Sequence, residues 1–203
     1  MVVHVPEPGA NRLTRWRMTM NQTSQRLFFA LWPSAATADE IMAWARDAHA
    51  LCGGRMMRPE ALHMTLAFLG NTSEDKVREL AQAAPGWVVP VGTLQLKRFG
   101  RFPGPRVVWA GPSSDDGERV PWLDNAYAIL WSQLEGAGWE RPASAFRPHV
   151  SLLRKAGPCE LDVLSRPTLS WTPEQCVLVA SRPVEGGSRY EILARLPTRH
   201  LAC

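Results

Sequence analysis

Apolar residues along the chain fall into strand-length runs separated by helical stripes. "RLFFALW" (26–32) reads as a strand. Ser34 then offers an N-cap for a helix running through about Ala50, with Ile41, Ala45 and Ala48 on one face. A second strand, "LHMTLAFLG" (62–70), closes at Gly70-Asn71, and Ser73 opens the amphipathic "SEDKVRELAQAA" with acidic residues in its first turn. Strands are expected at 87–99 and 106–111 ("RVVWAG"), with a loop at Asp115-Asp116-Gly117. Leu123, Ala126, Tyr127, Leu130 and Leu134 then predict a helix over about 121–137. The last third reads as a strand in "RPHVSLLR" (147–154), a short helix or turn near 160–165, and a hairpin of "CVLVASR" (176–182) and "RYEILARL" (189–196). Strand, helix, strand, helix, strands, then helix and strands again predicts the α+β class.

The order repeats because the chain is approximately duplicated. Leu62-His63-Met64-Thr65-Leu66-Ala67-Phe68 aligns with Pro148-His149-Val150-Ser151-Leu152-Leu153-Arg154, matching His to His and Thr to Ser in the same apolar frame. Just under half the chain separates the copies, which predicts two lobes with one His-x-Thr/Ser strand each. Residues 1–25 carry Pro, Gly, Asn, Thr and Arg without period. They are expected to be a disordered extension to a single bilobal domain over 26–203.

Composition narrows the picture only slightly. The chain is 45% hydrophobic and 21% charged over 203 residues, ordinary for a globular protein. No apolar stretch approaches the roughly 18–20 residues of a membrane helix. The net charge of +4 does not identify a polyanion partner, and half of it sits in residues 1–25. Cys52, Cys159, Cys176 and Cys203 show no C-x-x-C pair and no zinc-finger spacing. With no secretory signal, this predicts reduced thiols in the cytoplasm.

The chemistry lies in the repeated strand. Alternate strand side chains share a face, so His63 projects with Thr65 and His149 with Ser151. If the lobes are related by a pseudo-twofold, two imidazoles and two hydroxyls converge on one cleft. A neutral ring can then take a proton from an attacking water or hydroxyl while a charged ring protonates the leaving oxygen. The hydroxyls can donate to non-bridging phosphate oxygens. Two histidines with hydroxyls leave too few anionic or soft ligands for zinc. His4, His49 and His200 lack the pattern and are read as surface residues.

"HMTLAFLG" and "RPHVSLLR", flanked by "RLFFALWP", "RPEALHMTLAFLG", "RVVWAG", "FRPHVSLLR" and "YEILARLP", resemble the two-histidine phosphoesterases. Within that superfamily the chain is most similar to the bacterial and archaeal RNA 2',3'-cyclic phosphodiesterases, historically called 2'-5' RNA ligases. The resemblance spans roughly residues 26–197. It implies a bilobal α+β fold with two antiparallel sheets flanking a central groove and helices outside. It also implies hydrolysis of RNA 2',3'-cyclic phosphate ends to 2'-phosphates without metal or cofactor, with reversible, ATP-independent 2'-5' joining. The catalytic pairs of the family map onto His63 with Thr65 and His149 with Ser151, with His63 as acid and His149 as base. The resemblance further implies phosphate binding by Arg154, five residues after His149, although strand parity turns that position away unless a bulge intervenes. Phe68 holds the equivalent place in the first copy, for stacking on a base or for core packing. Arg58 and Arg147 lie close enough in sequence to line the groove. The expected partners are RNA with cyclic phosphate ends or small cyclic nucleotides, with no membrane and with a monomer as the default. Two other readings stand beside this one: a two-histidine enzyme for small cyclic nucleotides or 2'-5' oligonucleotides, and an RNA-end-binding module without catalysis.

Overall fold

Residues 24–112, 119–185 and 187–200 are described by a computed structural model. Strand β1 (Ser24–Trp32) alternates its side chains between two apolar surfaces. Leu27, Phe29 and Leu31 enter the main core beneath the helices, whereas Phe28 and Ala30 join Val177 and Val179 in a smaller cluster on the opposite face. Helix α1 (Ala35–Cys52) starts where Ser34 Oγ accepts the Thr37 N–H at 3.2 Å, and it buries Ile41, Trp44, Ala45 and Ala48. After β2 (Arg55–Met56) comes β3 (Met64–Ser73), then α2 (Glu74–Ala83), β4 (Val89–Val91), β5 (Leu94–Leu96), β6 (Arg98–Phe102) and β7 (Val107–Gly111). Helix α3 (Pro121–Gly136) follows, then β8 (Val150–Arg154), β9 (Leu169–Trp171), β10 (Gln175–Val184), β11 (Gly187–Leu196) and β12 (Thr198–His200). Residues 160–165 contribute one short helical turn, Leu161–Val163.

The principal sheet runs β11-β10-β1-β3-β8-β7-β6, with β2 also paired to β8. Every pairing within it is antiparallel. Its halves meet at a single pair, Met64 opposite Val150, each the residue after a histidine. The pseudo-twofold therefore passes between the two repeated motifs. The helices cross over on the outer face: α1, from the first half, packs behind β8, and α3, from the second, packs behind β3 and β4. Of the segment expected to be disordered, Ser24 and Gln25 already belong to β1, and the remainder lies outside the described residues.

One expectation is corrected. Cys52 and Cys159 are not reduced thiols but a disulfide, with Cα atoms 5.2 Å apart across 107 residues of sequence. Spacing gave no sign of it, because the contact forms only when the end of α1 meets the loop after β8. Gly157 N–H donates to Cys52 O there at 2.8 Å. Gly54 fits this junction only as glycine: its φ is +86°, and an added Cβ would lie 2.8 Å from Ala156 Cα. Cys176 is a buried free thiol whose pKa burial pushes up to about 12. Cys203 lies outside the described residues.

Candidate active site

His63 and His149 each stand one residue ahead of a central strand. Each ring is pinned the same way. His63 Nδ1 lies 2.8 Å from Ala61 O, and His149 Nδ1 lies 2.7 Å from Arg147 O. A carbonyl oxygen only accepts, so both Nδ1 atoms carry the proton and donate it. In each neutral ring Nε2 is left with a free lone pair, the tautomer a proton acceptor requires. Thr65 and Ser151 follow on the same face, half-buried, and their hydroxyls meet no protein partner among the described residues.

Beyond the hydroxyls, both strands break the simple alternation at the same place. Ala30 pairs with Thr65 and Phe29 with Ala67, so Leu66 is an extra residue in β3. Trp109 pairs with Ser151 and Val108 with Leu153, so Leu152 is an extra residue in β8. A one-residue bulge reverses the facing of everything after it. Both copies thus bury two consecutive apolar residues and then return the next residue to the histidine face. In the first copy that residue is Phe68, 56% exposed; in the second it is Arg154, also exposed. Core packing is accordingly excluded for Phe68. The Arg154 guanidinium has no acidic partner among the described residues, and its charge adds to the burial that lowers the pKa of His63 and His149.

The two rings differ in their surroundings. His63 stacks against Phe28 (centroids 4.8 Å) and Trp32 (5.3 Å), with Tyr190 edge-on at 5.4 Å. This desolvation is the main reason its pKa drops to about 4. His149 meets Phe102 edge-on at 4.8 Å and Trp109 at 6.2 Å, and its pKa is lowered too, again chiefly by burial. The sequence reading missed these aromatics. Phe28 and Trp32 were legible as the odd-face partners in "RLFFALW", but Tyr190, Phe102 and Trp109 reach the site only through strand pairing.

Hollows flank the histidines. Arg58, Trp32, Tyr190 and Ile192 line one of about 450 Å³ on the His63 side. Arg147 and His149 itself line one of about 820 Å³ on the other. Arg58 also donates to Ser188 O and pairs with Glu60 at 3.2 Å. His49 is half-buried in the last turn of α1 and His200 is exposed in β12, both away from the cleft; His4 lies outside the described residues. Among the described residues, no three His, Cys, Asp or Glu side chains gather where they could hold a metal ion. No helix among them is long and apolar enough to cross a membrane.

Comparison with known proteins gives a consistent neighbourhood. Residues 31–109 match the model of the family described as LigT like Phosphoesterase. The RNA 2',3'-cyclic phosphodiesterase of Escherichia coli (strain K12) is 33% identical over 173 residues, covering 84% of this chain and 95% of that protein. The RNA 2',3'-cyclic phosphodiesterase of Aeropyrum pernix is 32% identical over 128 residues, covering 61% of this chain and 70% of that protein. Among solved structures, E. coli LigT complexed with 3'-AMP superposes with a TM-score of 0.69 at 31% identity, covering 85% of this chain and 97% of that one.

Proposed function

This chain belongs to the LigT-like phosphoesterases, and from that premise we propose that it is an RNA 2',3'-cyclic phosphodiesterase that opens cyclic ends to 2'-phosphates. The observation that carries this reading is the bulged strand present twice. It sets two Nε2 atoms, two unengaged hydroxyls and one unpaired guanidinium on one face. A phosphodiester anion between the rings would take hydrogen bonds from Thr65 and Ser151 and charge from Arg154. Water attacks phosphorus, giving its proton to one Nε2; the P–O3' bond breaks, and the other ring protonates the departing 3'-oxygen.

Phe68 orients this scheme. It is an exposed ring on the His63 strand, a platform for the base of the terminal nucleotide. The ribose, and with it the 3'-oxygen, then lies on the His63 side, making His63 the acid and His149 the base. One consideration favours the reverse: burial lowers the His63 pKa to about 4, so its ring rests neutral with Nε2 open to a proton. A substrate with sulfur in place of the 3'-oxygen decides between them, because a thiolate leaves without a proton. His63→Ala should regain much of its rate on that substrate, and recovery by His149→Ala instead would exchange the roles.

The reading itself is tested by hydrolysis of a 2',3'-cyclic phosphate end in the presence of EDTA. Activity should persist, and either histidine-to-alanine change should cost at least about 10²-fold. Loss with chelator and recovery with zinc or manganese would contradict it. We place the enzyme in the cytoplasm, acting on RNA ends as a monomer.

A further inference from the structure

Strand pairing sets Arg55 of β2 directly opposite Arg154 of β8. Partners so placed project from the same face, so Arg55 shares the histidine face with Arg154. Its guanidinium reaches the β10–β11 hairpin, where a Cβ added to Gly187 would lie 2.8 Å from Arg55 Nη1. That hairpin holds a second such pair, Arg182 opposite Arg189. Like charges directly opposite one another destabilise a sheet unless other groups neutralise them. Glu191 pairs with Arg182 at 3.5 Å, and Glu60 with Arg58 at 3.2 Å. Arg55, Arg154 and Arg189 are exposed and have no acidic partner among the described residues. All three gather at one rim. Arg189 lines the hollow beside His63 together with Arg58 and Tyr190. Burial raises the Tyr190 pKa, and the nearby charges of Arg154, Arg55 and Arg58 oppose that rise. A cyclic phosphate end carries one negative charge, which Arg154 and the two hydroxyls already meet. Arg55 and Arg189 are left over. An RNA strand brings one further charge with each nucleotide, and guanidinium groups suit its backbone phosphates. With the terminal ribose on the His63 side, the strand leading to it crosses this rim.

We propose that Arg55 and Arg189 bind the internucleotide phosphates just upstream of the cyclic end, so that the enzyme selects an RNA strand over a mononucleotide. The inference rests on the phosphodiesterase reading and deepens it by naming the side chains that recognise the polymer. Contacts one or more nucleotides from the reacting phosphorus hold substrate and transition state alike. They therefore act through KM and leave kcat alone.

The test compares two substrates on the intact chain at low salt: adenosine 2',3'-cyclic phosphate, and a tetra-adenylate that ends in the same cyclic phosphate. The wild type should favour the tetranucleotide in kcat/KM by about tenfold or more. Arg55→Ala and Arg189→Ala should each lower that preference by about fivefold or more, through a higher KM for the tetranucleotide. Each should also flatten the fall of log kcat/KM with log salt by about 0.7, the single-strand value for one lost phosphate contact. The melting temperature of Arg55→Ala should hold or rise, because the substitution relieves a like-charge pair. Equal losses on both substrates would tie these side chains to the fold or to the terminal nucleotide and overturn the assignment. So would an unaltered preference, or a wild type that treats the two substrates alike. Failure of the wild type on both would instead sink the phosphodiesterase reading, a separable result.

Discussion

His63 and His149 make the same hydrogen bond through Nδ1 but sit among different numbers of aromatic rings, and their proton affinities follow. Burial and the Arg154 charge push both rings below the ordinary histidine value, His63 to about 4. If these two rings are the acid and the base, the competent state of the free enzyme, with one ring charged and one neutral, is most populated on the acid side of pH 6.5. A bound phosphodiester brings a negative charge that favours imidazolium and raises both values. The bell in kcat/KM, which reports the free enzyme, should peak below pH 6.5, and the bell in kcat should lie at higher pH. Coincident profiles, or a kcat/KM optimum above pH 7.5, would refute this ordering. The same burial couples to stability. The unfolded chain protonates His63 near 6.5 and the folded chain only near 4, so the unfolded state holds more protons between them. Stability is then fully present above pH 6.5 and falls as pH drops through that window, by on the order of 3 kcal/mol.

At the scale of the element, the decisive feature is one extra residue per strand. Leu66 and Leu152 turn Phe68 and Arg154 onto the face that plain alternation would deny them. If the bulge delivers Arg154 to the phosphate, Arg154→Ala should lower kcat/KM by about 10- to 150-fold, the loss of a charge-assisted hydrogen bond worth roughly 1.5–3 kcal/mol. An unchanged kcat/KM would mean that the guanidinium biases the histidines from a distance without touching substrate. This element also marks how far the sequence could be read. The His-x-Thr/Ser repeat was legible because period-two alternation is local, and so were Ser34 as a cap and the stripe of α3. The bulges were not. "HMTLAF" and "HVSLLR" each place apolar residues side by side after the hydroxyl, which fits either a strand end or a bulge until the partner strand supplies the register. The aromatic wall around His149 was hidden likewise, since Phe102, Trp109, Tyr127 and Phe146 come from four segments that meet only in three dimensions.

The whole molecule is built by exchange between its halves, and its covalent link lies on that exchange. α1 leaves the first half to pack behind β8 of the second, and Cys52 at its end reaches Cys159 beyond the strand that carries Ser151 and Arg154. The intervening segment is held twice more: β2 pairs Arg55 with Arg154, and Met57 N–H donates to Leu152 O at 2.8 Å. The disulfide closes a loop of about 107 residues. On the chain-entropy model such a loop restricts the unfolded state by about 4–5 kcal/mol, with measured values commonly 2–4. In a reducing environment the bond opens, and the fold then rests on its hydrogen bonds and core alone. Reduction of the oxidised chain in denaturant should raise the number of titratable thiols by two, those of Cys52 and Cys159. The urea midpoint should fall on reduction, and a Cys52→Ser/Cys159→Ser double variant should match the reduced protein whether or not reductant is present. Because the backbone bonds that hold Arg154 survive the cleavage, kcat/KM on a cyclic phosphate should change less than threefold while stability drops. Equal urea midpoints for oxidised and reduced protein would show that the bond adds nothing to stability; a large loss of kcat/KM with little loss of stability would show that it positions Arg154 directly.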